Sequence, residues 1–134
     1  MLKQSLSVVL AVSVSLIAET NCRLIGSQLA RKLVHQAVVT LGVDAKGFVL
    51  IPYVNDSAPD FHSFEALLQN SSTSGRIGFF AVNPWTGDVW NIDRCSRIIS
   101  SELKKEQESI LERSGMSALA ATTLRERPPR CRPD

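Results

Sequence analysis

Arg76-Ile77-Gly78-Phe79-Phe80-Ala81-Val82-Asn83-Pro84-Trp85-Thr86-Gly87-Asp88-Val89-Trp90-Asn91 is the stretch whose reading decides the fold. Residues 76–82 are aromatic and β-branched in the proportion that suits a pleated, packed surface, and the reading is a strand. Side chains alternate along a strand, so Ile77, Phe79 and Ala81 are expected on one face and Gly78, Phe80 and Val82 on the other. Apolar residues on both faces point to a strand covered on both sides. Asn83-Pro84-Trp85-Thr86-Gly87 is a turn signal: proline presets φ near the start, and Gly87 supplies a positive φ at the end. Val89, Trp90 and Ile92 carry the return strand. The hairpin holds both tryptophans of the chain.

Upstream, Ile25, Leu29, Leu33, Ala37 and Leu41 recur every four residues, with Val34 and Val38 widening the stripe. That periodicity predicts an amphipathic helix over residues 22–41, with Gly42 as its left-handed stop. Residues 48–54 form an apolar run that contains Pro52, which lacks a ladder donor, so this strand is expected either at a sheet edge or to bulge there. Phe61, Phe64, Leu67 and Leu68 fit a helical spacing as well as a strand. The polar segment 69–75 that follows has hairpin-turn character, and the strand reading is taken on that ground. Downstream, Ser100 or Ser101 caps a helix reaching Arg113, with Leu103, Ile110 and Leu111 as a thin apolar stripe and Gly115 as its end. The expected architecture is α+β: an N-terminal helix packed on a three- to four-stranded antiparallel sheet, followed by a C-terminal helix. Residues 22–115 are expected to form the single domain, and 116–134 a flexible Pro/Arg-rich tail, disordered unless Cys131 is bridged.

The chain has 134 residues, 44% hydrophobic and 21% charged, with a formal net charge of +2. That is enough chain for one domain with a modest core. A charge this small, with no interleaving of basic and aromatic residues, speaks against a nucleic-acid partner.

A short basic start at Lys3 precedes an apolar run over residues 6–18. It is too short for a membrane span of about 20 residues and has the form of a secretory signal. Cleavage after Ala18 leaves a small residue at the cut but a large Leu16 two positions earlier. Lipidation of Cys22 and an uncleaved anchor or buried first helix are the alternatives, and they are the only routes to the membrane. The chain is therefore expected to be exported, periplasmic or secreted, where thiols oxidise. Its three cysteines are Cys22, Cys95 and Cys131. None has metal-ligand spacing. Cys95 is placed to bridge to Cys22 or to Cys131. The Asn-x-Ser triplets at Asn55 and Asn70 are read as chance matches to the glycosylation acceptor.

Val82, Asn83, Thr86, Gly87 and Val89 together resemble the hairpin of PepSY-like domains, small exported α+β modules with a cystatin-like helix-on-sheet form. The resemblance spans residues 24–91. It implies a non-enzymatic module associated with regulating or inhibiting peptidases at the cell envelope, and it transfers no catalytic residue.

Catalytic motifs are absent: there is no Gly-x-Ser-x-Gly elbow, phosphate-cradling glycine loop or His-Glu-x-x-His. No cofactor or metal is expected. The expected function is an exported binding or inhibitory module that contacts an envelope protein through its sheet or hairpin tip. Trp85, Thr86 and Asp88 are the candidate contact residues, because a large aromatic at a turn tip either packs inward or meets a partner. One alternative is a small hydrolase-like enzyme using His62 with Asp60 or Glu65 as a general-base pair. The other is a purely structural envelope protein.

Overall fold

The computed structural model describes residues 24–69, 75–125 and 127–131. The signal segment, Cys22 and Asn70 lie outside the described residues. The elements run α1 (Ser27–Thr40), β1 (Phe48–Tyr53), β2 (His62–Leu68), β3 (Arg76–Val82), β4 (Val89–Asn91), β5 (Ser96–Arg97), α2 (Ser101–Ser114) and α3 (Ala118–Arg125). The strands form one antiparallel meander in the order β1-β2-β3-β4-β5. This is the α+β class read from the sequence, extended by β5 and α3.

One face of the sheet packs on α1 and α2. Ala30, Leu33, Val34, Ala37 and Val38 of α1 are buried against Phe48, Leu50, Phe64, Ala66, Phe80, Val82 and Val89. The heptad-like spacing of the α1 residues and the period-2 spacing of the strand residues put every one of them on the facing surfaces. Leu103 and Ile110 of α2 close the same core. Ser100 accepts a hydrogen bond from Leu103 N at 3.1 Å, so α2 begins at a side-chain cap. Ser100→Ala is expected to lower stability by about 1 kcal/mol, read from urea denaturation.

The bulge between Ala66 and Leu67 changes one expectation. Ala66 pairs with Gly78 but Leu67 pairs with Arg76, so Ile77 is left without a partner. The extra residue breaks the alternation with Phe79 and Ala81, and Ile77 packs, partly buried, against the core. Arg76 stays on the outer face, its guanidinium 4.6 Å from the Phe79 ring centroid.

β1 is one of the two edge strands, β5 being the other, so of the two outcomes Pro52 allowed the structure shows the edge. Its outward-facing groups are blunted twice. Pro52 has no N–H, and Arg31 Nη1 donates to the Leu50 carbonyl at 2.8 Å.

Among the described residues, the outer face, opposite α1, carries α3 and the segment 127–131. There α3 lies against the hairpin end, and the chain beyond it crosses the sheet to Cys95. Pro129 is buried in that crossing. Cys95–Cys131 closes it, with the two Cα atoms 5.4 Å apart. The segment expected as a flexible tail therefore begins with a helix and ends in a covalent anchor. Its alanines form α3 because Leu124 and Arg125 find partners on the hairpin.

Candidate functional site

The hairpin tip is a buried polar assembly. β3 ends and β4 begins at a narrow pair, Asn83 N donating to Asp88 O at 2.9 Å, and the loop Pro84, Trp85, Thr86, Gly87 spans it. Asn83 organises the loop from within. Its Oδ1 accepts from Trp85 N at 2.9 Å and Thr86 N at 3.2 Å, and its Nδ2 donates to Leu124 O of α3 at 3.1 Å. Thr86 Oγ1 donates to Asp88 Oδ2 at 2.8 Å. Asn83, Thr86 and Asp88 are 1%, 0% and 2% exposed. Of the three residues singled out for contact, Thr86 and Asp88 therefore face inward and fix the shape of the tip, whereas Trp85 is half-buried. On the core side, Gln107 Nε2 of α2 donates to Gly87 O at 3.0 Å.

Asp88 is the charged centre of the assembly. Burial pushes its carboxyl above the ordinary carboxylate value. The Thr86 hydroxyl, and the charges of Arg125 and Arg97, pull the other way without cancelling it. Arg125 Nε lies 3.5 Å from Asp88 Oδ2. It is near enough for charge attraction, but the pair lacks hydrogen-bond geometry, and Nε has no other acceptor among the described residues. A carboxyl with a raised native pKa holds its proton more tightly folded than unfolded. Between the ordinary value (about 4) and the raised one, stability therefore falls as pH rises. Asp88→Asn removes this slope. Urea midpoints measured at several pH values across that window should diverge between the two proteins, wild type gaining relative stability on acidification. Parallel curves would contradict the buried placement of Asp88.

The histidine reading is placed differently. His62 sits on β2 with Nε2 2.8 Å from the Ile25 carbonyl, tying the start of the described chain to the sheet. Glu65, three residues along the same strand, points to the opposite face. A cleft of about 230 Å³ borders His62, but neither Asp60 nor Glu65 lines it. Of the three residues of that reading, His62 alone lines the cleft, and its Nε2 is engaged with a backbone carbonyl. His35 packs on Phe48 with ring centroids 4.7 Å apart and reaches the Ala45 carbonyl at 2.9 Å. Among the described residues no cluster of three metal-ligating side chains occurs, and no helix is long and apolar enough to cross a membrane.

The structure brings a second group together that sequence reasoning did not select. Trp90 of β4, Arg97 of β5, Ile99, and Thr122 and Arg125 of α3 line an open cleft of about 640 Å³ beside the hairpin. Trp90 and Arg97 are direct cross-strand partners. Trp90 was expected in the core, but the alternation of β4 puts it on the face opposite Val89, half-buried and outside the α1 core. Nothing in the local sequence announced that α3 would fold back over it.

No family model matches the chain, and no curated protein matches it in sequence. The PepSY-like and cystatin-like resemblance therefore rests on the hairpin residues alone. Among solved structures, the chain is similar to one in "Structure of a type VI secretion system effector-immunity complex from Pseudomonas protegens". The TM-score is 0.64 at 21% identity, covering 81% of this chain and 92% of that one. At that identity the likeness establishes a shared α+β fold.

Proposed function

We propose that this chain is an exported, non-enzymatic module that binds and thereby neutralises or regulates another protein. The observation that carries the reading is its fold likeness, along most of both chains, to a chain of an effector–immunity complex, an assembly of two proteins. Two further features support it. His62 spends its Nε2 on a backbone carbonyl rather than on a carboxylate partner. The Cys95–Cys131 bridge suits an oxidising compartment, in keeping with the signal-like segment over residues 1–18. An envelope location remains part of this proposal, with Trp85 as the member of the Trp85, Thr86 and Asp88 set that has surface to offer at the hairpin tip.

The test is affinity capture by the oxidised, purified chain from extracts of its native host, followed by reconstitution with each captured protein in purified form. The expected result is a stable heterocomplex by size exclusion with light scattering, formed with one protein and blocking that protein's activity. A chain that elutes alone beside every purified candidate would overturn the reading.

A further inference from the structure

The cleft between β4, β5 and α3 has the composition of a recognition site. Two of its walls are arginines, one is an indole, and Ile99 at its rim is 73% exposed. Among the described residues no acidic side chain lines it. Asp88 lies beneath, 3% exposed in its side chain, and is near one of the arginines, Arg125. Arg97 is exposed and, among the described residues, has no carboxylate within ion-pair distance. Behind the wall, Trp90 Nε1 and Arg125 Nε are buried with no hydrogen-bond partner among the described residues, Arg125 Nε lying 3.5 Å from Asp88 Oδ2.

We propose that this cleft is the surface on which an acidic protein partner docks, with a carboxylate side chain of the partner seated between Arg97 and Arg125 and a neighbouring apolar side chain against Trp90 and Ile99. The inference deepens the protein-binding reading above and rests on it. Guanidinium groups fit a carboxylate with two parallel hydrogen bonds, which a lysine ammonium does not provide. Tryptophan and arginine are also the residues that most often dominate interface energies, especially beside exposed apolar surface. The charge balance favours a protein over a nucleic acid. The chain carries only +2 overall, and the apolar rim at Ile99 has no use in phosphate binding. Addition of a strand to β1 is disfavoured by the Arg31 contact to Leu50 O and by Pro52, and the other edge, β5, is only two residues long.

The experiment follows backbone and indole N–H resonances of the full, oxidised ¹⁵N-labelled chain. The probes are an acetylated, amidated Leu-Glu-Leu-Asp peptide, its Leu-Gln-Leu-Asn analogue, and a short oligothymidylate. The acidic peptide is expected to bind saturably in the millimolar range. Its shifts should concentrate at Trp90, Arg97, Ile99 and Thr122 and weaken about tenfold in Arg97→Ala and on raising salt. Arg97 is exposed, so the variant's spectrum elsewhere should match wild type and exclude misfolding. Equal binding of the amide analogue, tighter binding of the oligonucleotide, or shifts confined to β1 and β2 would each overturn the proposal. So would self-association of the chain through this face in sedimentation. If a captured protein complexes equally well with Arg97→Ala and with wild type, the docking site is wrong while the protein-binding function stands. If no protein complexes with wild type, the function itself fails.

Discussion

Gly87→Val lowers the unfolding free energy by roughly 3 kcal/mol, from two separate causes. Gly87 has φ +75°, a left-handed conformation that a β-branched residue adopts only under strain. A Cβ built there stands 2.7 Å from Ile110 Cδ1 and 3.3 Å from Leu33 Cδ1. Leu33 is 1% exposed and Ile110 4%, so neither has free space to move into. The two causes separate in a double-mutant cycle. Gly87→Ala retains the backbone strain and the contact, and Ile110→Val removes the Cδ1 atom that the new methyl meets. Ile110→Val alone should cost about 1 kcal/mol, as a lost core methylene does. In the Gly87→Ala background it should cost less, because the clash goes with it. Additive effects in urea denaturation would mean that α2 does not press on the turn as described.

Cys131→Ser lowers stability by roughly 3–4 kcal/mol, the loop-closure value for a bridge between cysteines 36 apart in sequence. For a domain of this size that corresponds to a fall in Tm of about 10 °C or more. The loss should also be local. The bridge holds the segment in which Pro129 is buried and which leads from α3 across the outer face. Hydrogen exchange should therefore accelerate in α3 and in residues 127–131, while the amides of α1 and β2 keep their rank as the slowest. Uniform acceleration would show that α3 and the chain after it belong to the same cooperative unit as the core. A small or absent change in Tm would show that the bridge does not constrain the chain.

The core was legible because its signals are periodic. The four-residue spacing from Ile25 to Leu41 and the alternation through Phe80 and Val82 each encode one buried face, and the structure places them against each other. Pro52 marked the edge strand, and Gly87 and Ser100 marked a turn and a cap, because each residue's backbone chemistry admits few alternatives. Ile77 was misplaced because a bulge is decided by cross-strand packing, which no single strand displays. Thr86 and Asp88 look like surface polar residues in any turn. Their burial follows from α3, whose last residues, Leu124 and Arg125, supply the partners. The cleft of Trp90, Arg97, Ile99, Thr122 and Arg125 was invisible for the same reason. It joins residues more than twenty positions apart through a helix whose docking is set by tertiary contacts, since eight residues form no stable helix alone.

Docking of a protein partner on the face built by β4, β5 and α3 leaves a footprint on the backbone amides of that face. The most direct measurement is hydrogen–deuterium exchange of the oxidised chain, free and in complex with the protein it captures. Protection on complex formation is predicted at Trp90–Ile99 and Thr122–Arg125, with β1 and the solvent face of α1 unchanged. Protection confined to β1 and β2, or to α1, would contradict it.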